Sequence, residues 1–206
     1  MSKFEYQKLE ILFALSECNE HYLSRIKITV DQSLKRSKRL VAFRFDLRFP
    51  ANYQGDTEKV ITKFFDSFKA KLKAIEKRQF RLGKRVYKSN LTYIWVRERY
   101  NSNNDHFHVV IMLNKDAFHS FGKLNSVNPN LATRIMASWA SALSLKDTNK
   151  DARGLIHQAK NGMYVFNEKD DNYSEKYEAF FKRLSYFAKD RTKVYGTGRR
   201  SFGCSR

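Results

Sequence analysis

Two of the chain's five histidines, His106 and His108, stand one residue apart at the head of a strongly β-forming run, HFHVVIML. Residues i and i+2 of a strand share a face, so the two imidazoles project together while Phe107, Val109 and Ile111 project to the other side. Two neutral imidazoles side by side are two ligands for one divalent metal ion. A third comes within reach if the preceding run, LTYIWVRER, pairs with this one as a hairpin across the polar turn YNSNN. With Glu98 opposite His106, Val96 falls opposite His108, and Glu98 joins the histidine face about 5 Å away across the ladder. Asp46, on an earlier strand, is the rival carboxylate. His119 and His157 have no ligand partner close by in sequence. Other two-histidine schemes fit less well: an HxHxDH pattern would need Asp and His after Val109, where Val110 and Ile111 stand, and paired HxT or HxS motifs are absent.

A second constellation lies in RLSYFAKDRTK. On a helical wheel of about 100° per residue, Phe180, Phe181, Leu184, Phe187 and Ala188 cluster near Tyr177, while Tyr186 falls about 180° away. Tyr186 is thus an aromatic residue on the charged face, with Lys189 at i+3. A tyrosine hydroxyl can attack a phosphate, and an ammonium beside it can stabilise the charge that develops. Tyr173 with Lys176 has the same spacing but leans toward the apolar stripe, so it ranks second.

These residues need a frame. In RLVAFRFDLRFP, Phe43, Phe45, Leu47 and Phe49 alternate with Arg44, Asp46 and Arg48, a period-two strand. Apolar spacing predicts helices over 57–76, capped by Asp56 or Thr57, over 129–143, and over 173–190. RGLIHQ and GMYVFNE read as a short hairpin. Phe4, Leu9, Leu12, Phe13 and Leu15 suggest a helical N-terminal arm within residues 1–37, leaving 38–206 as the functional domain. The order β-α-β-β-α-β, with an extra strand and a final helix, predicts an α+β fold of the ferredoxin-like or RRM-like kind. Its antiparallel sheet would carry helices on one face and leave the other face open for the site.

Forty Lys and Arg against 21 Asp and Glu give a net charge of +19, far more than solubility requires, and point to a polyanionic partner. The basic residues are spread along the chain, which suits a groove for a phosphate backbone better than one amphipathic membrane helix. No run of about 18 apolar residues exists, so no membrane span is expected. The start MSKFEYQKLE lacks the layout of a secretion signal, and Cys18 and Cys204 form no framework, so a cytoplasmic setting is expected.

His106-Phe107-His108 followed by Tyr186-Phe187-Ala188-Lys189 resembles the HUH endonuclease superfamily, with its HUH and YxxK motifs in the order found in replication initiators. More closely, YIWVRE, HFHVVIMLN, SYFAKDRTK and GRRSFGCSR resemble the YagK/YfjJ-type inovirus replication-initiator family of phages and mobile elements, over roughly residues 38–206. The resemblance implies metal-dependent cleavage of single-stranded or origin DNA, a 5′-phosphotyrosine link, Mg²⁺ or Mn²⁺, and a host polymerase and helicase as partners. It implies His106, His108 and Glu98 as metal ligands, Tyr186 as nucleophile and Lys189 as its assistant. DNA contacts are expected from Arg44, Arg48, Lys182, Arg191, Lys193, Arg199 and Arg200. Asp190 stands where a second, paired tyrosine would stand, and no GxxxxGK[ST] helicase motif occurs. The same chemistry would serve transposition or interference with a competing replicon. A non-catalytic RRM-like binder would want aromatic rings on the open face, whereas Phe43, Phe45 and Phe107 are expected to point toward the helices.

Overall fold

The chain starts with a small hairpin, β1 (Glu5–Tyr6) and β2 (Leu9–Glu10), turned by Gln7 and Lys8 at φ of 50° and 67°. Two consecutive left-handed residues give the turn whose twist suits a tight hairpin. The helical arm expected within residues 1–37 is therefore corrected over its first part: the apolar residues there do not keep a helical period, and Leu12 N–H donates to Ser185 Oγ at 3.0 Å, pinning this stretch to a distant helix. Helix α1 (Glu20–Arg36) begins only at Asn19, whose side chain accepts from Tyr22 N–H. The computed structural model describes residues 3–55, 57–99, 105–145, 152–191, 193 and 199–205. Asp56, one of the two expected caps, the turn 100–104 and Tyr195 lie outside them.

There follow β3 (Arg39–Arg48), α2 (Val60–Arg81), β4 (Thr92–Glu98), β5 (His106–Asn114), α3 (Leu131–Ala142), β6 (Ile156–Asn167), α4 (Tyr173–Ser185) and β7 (Phe202–Cys204). Strands β3 to β7 make one antiparallel sheet in the order β6-β3-β5-β4-β7, so the fold is α+β. The β4–β5 register sets Val96 opposite His108 and Glu98 opposite His106, as the hairpin arithmetic requires.

The expected hairpin of RGLIHQ and GMYVFNE is corrected to a single strand, β6. Both of its halves pair with β3, and the register jumps from Phe43↔Met163 to Phe45↔Gln158. Residues 159–162 bulge out between them. A Cβ on Gly162 would stand 2.8 Å from Arg44 O, which explains a glycine there.

The open face is also corrected. On one side of the sheet Phe43, Phe45, Phe107 and Val109 pack against Phe64 and Phe68 of α2 and Trp139 of α3. On the other, Ala42, Val96, Val110 and Met112 pack against Leu23 and Ile26 of α1 and Phe181 of α4. Alternation along β3 is polar only at its C-terminal end; Leu40 and Ala42 share a face with Arg44 and Asp46. That face needs an apolar cover over most of its length. The polar part of this face is one end, where β3 finishes, β4 finishes and β5 begins.

Candidate functional site

At this end Glu98 is the last residue of β4 and His106 and His108 are the first and third of β5. His106 Nε2 lies 3.3 Å from His108 Nε2, and Glu98 Oε2 lies 3.2 Å from the same nitrogen. One ligand atom from each of the three falls within 4.8 Å of the others, so the group could hold a metal ion. Asp46, opposite His108 on β3, takes the other ring nitrogen: His108 Nδ1 lies 2.6 Å from Asp46 Oδ1. A carboxylate on the far nitrogen fixes the ring and leaves Nε2 facing Glu98 and His106, the usual support of a metal-binding imidazole. His157 reaches the second oxygen of Asp46, with its Nδ1 at 3.6 Å.

Carboxylates alternate with nitrogen groups through the cluster: Asp46, His108, Glu98 and Lys193. Glu98 is only 2% exposed. Burial alone would raise its pKa, but the hydrogen bond from His108 and the Lys193 ammonium outweigh burial and hold it far below the usual carboxylate range. Asp46 is lowered in the same way, with His108 overcoming the cost of burial. His108 is raised, because Asp46 and Glu98 together overcome a burial penalty that favours the neutral ring. His106 is lowered, first by burial and then by the charge of His108. A buried carboxylate of this kind must be paired.

Tyr186 follows α4 directly, in a single 3₁₀ turn over Tyr186–Ala188. The predicted helix over 173–190 thus tightens at its end, and this turn carries Tyr186 to the sheet. Its ring sits 5.5 Å from that of His108, edge to face. Lys189 Nζ donates to Tyr186 Oη at 3.3 Å and lies 4.4 Å from the ring centre. Phe187, fully buried, anchors the turn. The N-terminal segment clamps it from outside: Asn19 N–H donates to Ala188 O at 2.8 Å, and Asp190 N–H donates to Glu17 O at 3.0 Å. The rival tyrosines are elsewhere. Tyr177 Oη donates to Asp31 at 2.6 Å, and Tyr173 packs edge-on against Phe166. Burial, then Asp31, raises the pKa of both.

The YagK/YfjJ C-terminal domain model matches residues 3–205 of the chain. The chain belongs to the YagK/YfjJ C-terminal domain family. It is 35% identical over 193 residues to the protein YagK of Escherichia coli (strain K12), covering 89% of this chain and 91% of YagK. It is 34% identical over 210 residues to YfjJ of the same organism, covering 93% of this chain and 98% of YfjJ. No solved structure gives a significant match.

In this YagK/YfjJ-family chain the basic residues singled out from sequence separate into groups. Arg44 is part of the cluster: its guanidinium lies 3.5 Å from His108 Nδ1 and 5.8 Å from the Tyr186 ring. Arg48 is exposed and stands opposite His106 in the ladder. Lys182 is paired with Glu10 at 2.5 Å, and Arg191 lies over the Phe13 ring at 5.9 Å. Arg199 donates to Thr57 Oγ1 at 2.8 Å, at the start of α2 and on the other side of the sheet, with Arg200 exposed next to it. Lys193 differs most from its expected role as a DNA contact. Its side chain is 0% exposed and its Nζ donates to Glu98 Oε1 at 2.5 Å. A buried carboxylate needs a counterion, and residue 193 bridges to residue 98 in the backbone as well. Lys193 is therefore a site residue whose role sequence reasoning misses. No local pattern marks it, since 95 positions separate it from its partner. Phe13, whose ring lies 6.0 Å from that of Tyr186, is another.

Proposed function

We propose that this chain is a metal-dependent nuclease and strand transferase of the HUH type that cuts single-stranded DNA through Tyr186 and starts rolling-circle-type replication of a phage or other mobile element. The observation that carries the reading is the edge-to-face seating of Tyr186 on His108, with Lys189 on its oxygen and Glu98 and His106 completing a metal-ligand group. Family membership is compatible with it. A divalent ion, Mg²⁺ or Mn²⁺, held by His106, His108 and Glu98, would supply polarisation of the scissile phosphate.

The protein's own groups would do the rest. Tyr186 Oη attacks phosphorus, the P–O3′ bond breaks, and a P–Oη bond forms. The phenol proton is lost, and the leaving oxygen gains one to end as a 3′-OH. Lys189 stabilises negative charge on Oη during attack and on return. Arg44, over the Tyr186 ring, meets the phosphate charge. The free 3′-OH then primes a host polymerase, and the reverse attack rejoins a strand. The same steps would serve transposition or interference with a competing replicon.

The test is a denaturing gel of protein with 3′-labelled single-stranded DNA and Mn²⁺. The wild type gives label migrating with protein. Tyr186→Phe loses it entirely while changing stability by about 1 kcal/mol or less, the worth of one hydrogen bond. Lys189→Ala retains a slower reaction, because charge stabilisation is graded whereas a nucleophile is either present or absent. An adduct that persists in Tyr186→Phe, or maps to Tyr173, refutes the assignment.

A further inference from the structure

On the face of the sheet opposite the histidines, a cavity of about 310 Å³ opens between the start of α2 and the basic tail. Its wall includes Arg97, Arg199, Arg200, Lys59 and Thr62, with one carboxylate, Glu58. Arg97 precedes Glu98, so strand alternation sends it to the α2 side.

Arg97 is 3% exposed, and its Nε has no hydrogen-bond partner. Among the described residues that same Nε has one ion contact, Asp105 Oδ2 at 3.4 Å, and Arg99 Nε holds the carboxylate closer, with Oδ1 at 2.6 Å. Burial lowers the pKa of this guanidinium and the charges of Arg199 and Arg99 lower it further, against the pull of Asp105. A buried guanidinium whose Nε makes an ion contact but no hydrogen bond can still take an acceptor. The second feature is the 22-residue helix α2, whose N-cap Lys59 makes no side-chain cap bond. Lys59, Ile61 and Thr62 at this helix start line the same cavity. A helix start whose N-cap side chain makes no cap bond, together with guanidinium groups on the same wall, is a donor set that an oxyanion takes.

We propose that this cavity binds a backbone phosphate of the nucleic-acid strand, so that the strand presented to Tyr186 crosses the end of β4 and β5 and is anchored on the far face by Arg97. The proposal rests on the nucleic-acid reading above but not on cleavage. Arg97 and Glu98 are adjacent in β4, so the two sites lie back to back across a single sheet. A phosphodiester backbone carries a charge at every nucleotide and can engage both.

The test measures binding of a fluorescein-labelled single strand of about 20 nucleotides by anisotropy, in chelator, across a salt series. The double variant Arg199→Ala/Arg200→Ala should bind about tenfold more weakly, with a salt slope lower by about 0.7, the value of one phosphate contact on a single strand. Arg97→Lys keeps the charge but loses the planar fork, and should weaken binding about threefold. Added to the double variant it should cost almost nothing more, because all three residues serve one phosphate. Lys73→Ala/Lys169→Ala removes two exposed charges elsewhere and should change affinity less than about twofold. An equal loss in that control would mean a diffuse field and overturn the site, as would full additivity. If Arg97→Lys does not fold, the tail pair against its control still decides. Inorganic phosphate at constant ionic strength serves as a competitor. If it binds the wild type tightly while the tail pair leaves oligonucleotide affinity unchanged, the cavity serves a small phosphoanion and the strand proposal falls. A missing Tyr186 adduct with these affinity changes intact would refute cleavage alone. A normal adduct with unchanged affinities would refute this site alone.

Discussion

Glu98→Gln and Asp46→Asn each neutralise one of the two carboxylates that flank the His108 ring. Glu98 Oε2 lies 3.2 Å from Nε2, the nitrogen that also faces His106, whereas Asp46 Oδ1 lies 2.6 Å from Nδ1. Only the first belongs to the converging ligand group. Asp46→Asn keeps an oxygen for Nδ1–H but loses the charge that polarises the ring. Loss of such a supporting partner costs metal affinity by roughly 10–100-fold, or about 1.4–2.7 kcal/mol. Glu98→Gln removes the anionic member of the group itself, so the loss should exceed 100-fold, which is about 2.7 kcal/mol. Alanine at 98 is the poorer choice. It would leave the Lys193 ammonium, with 0% of its side chain exposed, without a counterion, and a buried uncompensated charge costs about 3–5 kcal/mol. Glutamine keeps a carbonyl oxygen for that lysine. The assay is calorimetric titration with Mn²⁺ at neutral pH, with thermal unfolding of each variant as a check on the fold. His157→Ala, whose ring touches Asp46 from the solvent side, should change affinity less than about threefold. If Asp46→Asn loses more affinity than Glu98→Gln, the ligand assignment is wrong, however well the register of β4 and β5 holds.

Two further substitutions test the frame around the site. Tyr177→Phe removes the hydroxyl that donates to Asp31 at 2.6 Å, so urea unfolding should show a loss of about 1–2 kcal/mol with the Tyr186 adduct intact. Loss of the adduct in that variant would reopen the choice of nucleophile. Leu23→Ala cuts a fully buried side chain of α1 out of the second core and should cost about 2–5 kcal/mol in the same experiment. A change near zero would mean that α1 is a detachable arm after all.

Much of the site was legible because it is local. His106 and His108 share a face by strand alternation alone, and a hairpin of two neighbouring runs fixes Glu98 opposite His106. The apolar stripe of α4 places Phe180, Phe181 and Leu184 in the core, whereas Tyr186, which the wheel puts on the charged face, is half-buried against the edge of that core because the helix tightens into a 3₁₀ turn there. What the sequence hides is non-local. Asn161-Gly162 is a turn signal, yet its flanks pair with β3 rather than with each other, because the bulge satisfies the same dihedral demand that a hairpin turn would. The polar face was inferred from Arg44, Asp46 and Arg48, and that inference holds only for the last half of β3. The apolar residues on the same face belong to four different strands, and no single stretch displays them together.

The placement of the site at one end of the sheet has a consequence for Glu98. A carboxylate at the boundary between an apolar core and a polar end loses most of its hydration, and two neighbours take over, Lys193 and His108. The division of labour between its oxygens matters. Oε1 is occupied by Lys193 and Oε2 faces the imidazoles, so Glu98 does not have to release its lysine in order to act as a ligand. Lys193 is then a positioning residue. It fixes the carboxylate rotamer and keeps Glu98 ionised, which a ligand must be. Burial lowers the pKa of Lys193, and Glu98 works against that, so each member of the pair opposes the neutralisation of the other. A buried ion pair of this kind adds little net stability. What it contributes is a carboxylate held charged and aimed at the two histidines before any ion arrives.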